Sequence, residues 1–164
     1  MTYIFQLMTR DHAQCIMSWR YQSPYDFYNF DHDAEMLKEL LSGEYYSVCH
    51  HHAAETLIGF FCIGNSARVP GGYTAGIYEE DNFMDIGLGL APSQTGKGMG
   101  RTFVKEGMDY FRQQFDQAKF RLVVANFNQR AIQVYRDNGF AEHCLVISSV
   151  HGQDVEFICM TAED

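Results

Sequence analysis

Hydrophobic and polar positions along the chain switch between a period of two and a helical period, the signatures of strand and helix. Tyr3–Leu7 reads as a first strand. Asp11–Tyr21 reads as a helix in which Ile16, Met17 and Trp19 mix with Arg20. Tyr21–Asp33 carries Pro24 and the aromatic residues Tyr21, Tyr25, Phe27, Tyr28 and Phe30 without a clean period, so it is expected as a turn or short helix over a cleft. Met36, Leu37, Leu40 and Leu41 define a helix over Asp33–Leu41, closed by Ser42-Gly43. Glu44–Cys49 and Thr56–Ile63 are strands joined through His50–Ala54, and Asn65–Asn82, with Pro70, Gly71, Gly72 and Gly76, reads as a long loop or loose hairpin.

The second half is more regular. Asp85–Leu90 is a short strand, Ala91–Lys97 a turn, and Gly98–Phe115 a helix striped by Phe103, Val104, Met108, Phe111 and Phe115. Phe120–Ala125 is a strand rich in Leu122, Val123 and Val124. Asn128–Asn138 is a helix with Ala131, Ile132, Val134 and Tyr135 inward, stopped by Gly139. Glu142–Ser149 and Asp154–Thr161 flank His151-Gly152-Gln153 as final strands. With no linker, repeat or low-complexity segment, the expectation is one α/β domain over 1–164 with a mixed sheet.

Two segments carry candidate chemistry. Pro92-Ser93-Gln94-Thr95-Gly96-Lys97-Gly98-Met99-Gly100-Arg101 lies between an apolar strand and an amphipathic helix. Alternate glycines let backbone N–H groups approach a ligand, and a helix start adds unpaired N–H groups that suit phosphate oxygens. Lys97 and Arg101 add positive charge. The Walker pattern fails, because Gly98 stands where a hydroxyl residue must follow Gly96-Lys97, and the dinucleotide pattern lacks its third glycine at the right offset. The other segment, Asn126–Phe140, joins a strand to a helix; Asn128 suits its N-cap, and Tyr135 shares the stripe of Ala131 and Ile132.

In these two segments, and in element order over nearly the whole chain, the sequence resembles the GNAT family of N-acetyltransferases. The resemblance implies a single-domain α/β fold with a central mixed, mostly antiparallel sheet flanked by helices. It implies that Thr95, Gly96, Lys97, Gly98, Met99, Gly100 and Arg101 bind the pyrophosphate of acetyl-CoA, chiefly through backbone amides. Asn126, Asn128, Ala131 and Tyr135 match the region beside pantetheine and sulfur, and Tyr135 matches the usual general acid. Leu88 and Leu90 lie on the strand expected to offer a backbone N–H to the thioester oxygen, with Gly87 and Gly89 permitting close approach. One departure is Thr95, where the family has Arg or Gln before the first loop glycine.

The implied activity is direct transfer of acetyl from acetyl-CoA to a small-molecule or peptide amine, with coenzyme A released; the alternative is a non-catalytic acyl-CoA-binding or regulatory module. A phenol ordinarily titrates near 10, so Tyr135 suits proton donation to the departing sulfur. Glu79, Glu80, Asp81 and Asp85 precede the cofactor strand, and Asp85 is the candidate base. Tyr21–Phe30 and Asn65–Asn82 are candidate acceptor walls or, equally, core or dimer surface, which leaves homodimerisation open.

Composition narrows the partners. The chain has 164 residues, with 12 Lys and Arg against 21 Asp and Glu, a formal charge of −9. Such a balance attracts neither nucleic acid nor an anionic membrane, while the acidic cluster of Glu79, Glu80, Asp81 and Asp85 would attract a cationic amine. No apolar run approaches membrane-spanning length, and the opening residues lack a signal-peptide pattern. Cys15, Cys49, Cys62, Cys144 and Cys159 contain no CxxC pair and read mostly as buried free thiols, which fits a cytoplasmic compartment. His50, His51 and His52 do not share one strand face, so no metal site is expected.

Overall fold

The computed structural model describes residues 1–117 and 119–163. Its strands are β1 (Tyr3–Leu7), β2 (Tyr45–His50), β3 (Ala53–Ile63), β4 (Met84–Leu90), β5 (Lys119–Ala125), β6 (Ala141–Val150) and β7 (Gln153–Glu163). The α-helices are α1 (Arg10–Met17), α2 (Ala34–Leu40), α3 (Pro70–Ala75), α4 (Gly100–Phe115) and α5 (Gln129–Asp137). The chain forms two compact units, one of Met1–Cys62 with Leu88–Met99, the other of Ile63–Gly87 with the chain from Gly100 onward. Among the described residues, no helix is long and apolar enough to cross a membrane.

In the first unit β1, β2 and β3 form antiparallel ladders, with Phe5 opposite Val48 and Tyr46 opposite Phe61. Alternation in β1 places Tyr3 and Phe5 in the core, whereas the apolar runs of β2 and β3 are buried continuously over Tyr45–Cys49 and Ile58–Cys62. His51 and His52 alone make the β2–β3 turn, so β3 starts earlier than its apolar run, and the His52 amide donates to His50 Nδ1 at 3.2 Å. Helix α1 is shorter than its sequence pattern and begins on a Thr9 cap; α2 begins on an Asp33 cap. Between them Tyr25–Tyr28 forms one 3₁₀ turn.

In the second unit the strand order is β4-β5-β7-β6. The β4–β5 pair is parallel, while β5–β7 and β7–β6 are antiparallel. The architecture is therefore α/β with mixed, mostly antiparallel strands, as the sequence predicts. Helix α4 buries Phe103, Val104, Met108 and Phe111, but Phe115 at its last turn is exposed. The expected loop Asn65–Asn82 contains α3, which opens with Pro70 and stops at left-handed Gly76. Among the described residues none of the five cysteines is in a disulfide; Cys49, Cys62 and Cys159 are buried, Cys144 is half-buried and Cys15 is exposed.

Candidate functional site

The exit from β4 is defined bond by bond within the first unit. The Leu90 carbonyl accepts from the Tyr21 hydroxyl at 2.6 Å, and the next amide, Ala91 N–H, donates to Ile58 O at 2.8 Å. Both polar groups of the Leu90–Ala91 peptide are thus satisfied by different elements. The chain then makes a 3₁₀ turn over Pro92–Gln94, in which Gln94 N–H donates to Ala91 O at 2.8 Å. The Thr95 hydroxyl donates to Pro92 O at 2.9 Å. Where the family pattern has a long polar side chain, this chain has a short one turned back to brace its own turn.

Gly96 and Gly98 follow with φ of 73° and 74°. These left-handed conformations are ones that side chains rarely adopt, so the alternation of glycines has a backbone cause. Gly96, Lys97 and Gly98 are all exposed, and a Cβ on Gly98 would meet nothing within 4 Å. Met99 is half-buried, and Gly100 opens α4 with Arg101 exposed beside it. Gly100 differs from the other two: a Cβ there would lie 3.1 Å from Val134, so its smallness serves the packing of α4 on α5. A two-glycine turn with open surroundings, an exposed lysine and a following helix start fits an anionic phosphate group.

Leu88 and Leu90 are half-buried. Gly89 between them is not vacant space for a ligand. The Phe60 ring fills the place of its missing side chain, and a Cβ would come within 2.6 Å of that ring. Phe60 also packs against Phe30, Tyr45 and Trp19, with ring centroids 5.4, 6.0 and 6.4 Å away.

In the second unit, α5 is set at both ends. Asn128 caps its start, accepting the Ala131 amide at 3.2 Å, and Asn126 N–H donates to Glu156 O at 2.9 Å. At the other end Gly139 N–H donates to Arg136 O and Phe140 N–H to Tyr135 O, both at 3.0 Å, with Gly139 at φ 91°. This pair of bonds is a Schellman closure, in which the residue after the glycine commonly touches the one whose carbonyl it caps. Here that contact joins Tyr135 and Phe140, edge to face at 5.9 Å. The helix stop thereby fixes the Tyr135 ring, which is only 9% exposed.

Asp85, the expected base, has a different place. It is 3% exposed, in parallel register with Arg121, itself 2% exposed. Arg121 Nε and Nη2 donate to its two oxygens at 2.6 and 2.9 Å, and Arg68 Nε adds a third bond at 2.9 Å. Arg121 also donates to Glu80 O at 2.9 Å and lies over the rings of Tyr78 and Phe83. Both carboxylate oxygens are committed to guanidinium donors, so neither is open to an incoming amine. The acidic residues Glu79, Glu80 and Asp81 are exposed. Sequence reasoning missed Arg121 altogether, although a charged residue between Phe120 and Leu122 in an apolar strand is a usable signal.

Burial pushes the Tyr21 hydroxyl up from its ordinary 10 to about 12, so it stays a donor through the neutral range. Tyr21 was legible only as part of an aromatic segment. Its partner lies 69 positions away, and nothing in the sequence pairs them.

Comparison with known proteins bears on the same segments. A spermidine N-acetyltransferase chimera from Vibrio cholerae and hSSAT superposes with TM-score 0.74 at 18% identity, covering 99% of this chain and 96% of that one. The spermidine/spermine N-acetyltransferase of Vibrio cholerae gives 0.67 at 18%, covering 99% and 92%. A putative phosphinothricin N-acetyltransferase gives 0.72 at 13%, covering 99% and 98%. At these identities the likeness establishes the fold. A search of curated protein sequences finds no significant match. The profile of the acetyltransferase (GNAT) family matches residues 6–140, a span that includes the β4 exit, the glycine turn and α5. The chain therefore belongs to the GNAT acetyltransferase family, whose fold supports acetyltransferase activity.

Proposed function

We propose that this protein is an acetyl-CoA-dependent N-acetyltransferase that passes an acetyl group directly to an amine. The observation that carries the reading is the open, left-handed Gly96–Gly98 turn between β4 and α4, in a chain of this family. When bound, acetyl-CoA supplies a thioester carbonyl open to attack by a neutral amine. Backbone N–H groups of Gly96 to Gly100 hold the phosphate oxygens, with Lys97 and Arg101 adding charge. Thr95 contributes by stiffening the turn through Pro92. Leu90, with Leu88 before it, presents backbone N–H to the carbonyl oxygen where charge develops. Asn126, Asn128 and Ala131 shape the start of α5 on the cofactor side, and Tyr135 holds the proton given to the departing sulfur. Asp85 is assigned to the fold rather than to proton transfer.

The acceptor is proposed to be a cationic amine, for which the charge of −9 is favourable; its ammonium gives one proton to solvent water to become the neutral nucleophile, and the proton lost as the amide forms replaces the one Tyr135 gives to sulfur. Names of the structural neighbours direct the first choices, so a thiol-release assay with acetyl-CoA starts from spermidine, spermine and phosphinothricin, then a wider amine panel, with mass detection of product. Acetylated product from at least one amine is expected. Tyr135→Phe should lower kcat by about 10²-fold or more, with acetyl-CoA affinity changed far less. Binding of acetyl-CoA without product across the panel would instead select the non-catalytic acyl-CoA-binding module. Absence of binding by the folded protein would remove both readings.

A further inference from the structure

Resting on the acetyltransferase reading, we infer that Tyr21 is a positioning residue for the reaction: its hydroxyl, bound to the Leu90 carbonyl, sets the orientation of the β4 exit that faces the thioester. The bond, at 2.6 Å, is short for a neutral hydroxyl on a carbonyl. Tyr21 is itself anchored, because its backbone N–H donates to Asn29 Oδ1 at 2.8 Å. The segment around it is internally tied, with Tyr25 N–H on Gln22 O at 2.8 Å and Asn29 N–H on Asp26 O at 3.1 Å. Tyr21 thus reaches Leu90 from a braced loop.

Two independent clamps act on the strand end. Ile58 and Tyr21 take the two polar groups of the Leu90–Ala91 peptide, and the Phe60 ring occupies the side-chain space of Gly89. Removing the hydroxyl leaves the Leu90–Ala91 peptide held by Ala91 N–H on Ile58 O alone, while the ring contacts keep the segment packed. The glycine turn beyond is held by its own bonds, Gln94 to Ala91 and Thr95 to Pro92, and does not depend on Tyr21. Loss of the hydroxyl therefore acts on orientation at Leu90 and leaves the anion-binding turn in place.

The test is Tyr21→Phe, assayed with acetyl-CoA and the panel amine that gives product. A fall in kcat of roughly 3- to 10-fold is expected, the effect of one hydrogen bond, while the acetyl-CoA dissociation constant stays within about twofold. The backbone amide nitrogen resonance of Ala91, which follows the Leu90 carbonyl in the chain, should move, since that carbonyl loses its donor. Wild-type kcat in Tyr21→Phe, or an unmoved Ala91 resonance, overturns the inference. If Tyr21→Phe melts below the assay temperature, Asn29→Ala decides: it loosens Tyr21 but keeps its hydroxyl, and an unchanged kcat there overturns the inference equally. A wild-type protein that acetylates no amine removes the acetyltransferase reading and this inference with it; full activity in both variants removes only the inference.

Discussion

Asp85→Asn separates a proton acceptor from a structural anchor. The substitution keeps the shape but removes one charge facing two guanidinium groups, Arg121 at 2% exposure and Arg68 at 22%. Two unit charges about 4 Å apart attract by roughly 4 kcal/mol at an effective dielectric near 20. Breaking a buried pair by removing one partner typically costs about 3–5 kcal/mol. Arg121 keeps its bond to Glu80 O and its ring contacts, which places the expected loss near the lower end, about 3 kcal/mol. For a chain of this size that corresponds to a fall in Tm of roughly 6–12 °C. The measurement is thermal or urea unfolding at neutral pH beside kcat at a temperature well below the lowered Tm. Folded Asp85→Asn should turn over within about threefold of wild type. A Tm within 2 °C of wild type, about 0.5–1 kcal/mol, together with a hundredfold loss of kcat would refute the reasoning and return Asp85 to the role of base.

Gly89→Ala should destabilise by about 1–3 kcal/mol in urea unfolding, because its Cβ would stand 2.6 Å from the Phe60 ring; stability equal to wild type would mean that Phe60 moves freely. Burial raises Tyr21 and Tyr78 from about 10 to about 12, so their folded values exceed their unfolded ones. The stability they contribute is then fully present below pH 10 and is lost as pH rises through about 12. Phenolate absorbance should show Tyr21 and Tyr78, with Tyr45 whose burial raises it further, titrating late and together with unfolding; a phenolate signal complete near pH 10 in an intact fold would contradict the burial.

How far the sequence reached depends on whether its signals were local. Helices α4 and α5 and strand β1 carried period and punctuation together, and their bounds shift by a residue or two at most. Helix α3 was missed because Gly71 and Gly72 depress helix propensity. The reason for Gly71 lies elsewhere in the chain: a Cβ there would come within 1.9 Å of Ile147 O on β6, and its amide donates to Ser148 Oγ at 2.9 Å. The glycine that looked like a sign of a loop is what lets the helix lie against a strand. Asp85 reads as a base in the sequence for a related reason. An acidic residue opening a strand after an acidic run resembles a proton acceptor until its parallel-register partner, Arg121, is known.

The glycine alternation at 96, 98 and 100 shows why one motif can identify a site that its side chains barely describe. Gly96 and Gly98 are required by φ, Gly100 by the side chain of Val134 on α5. Any two of these constraints arise in ordinary turns or helix contacts. The three at alternate positions need a chain that twists left-handed twice and then immediately packs a helix start against another helix. In the proposed reading the anion is recognised by the backbone that this sequence of constraints exposes, so the residue at position 95 need not reach toward it. Thr95 can then spend its one hydroxyl on Pro92 O, holding the turn in the shape that presents the amides. Preorganisation of that kind needs few cations, so the proposed phosphate site and the proposed cationic acceptor are both compatible with a charge of −9.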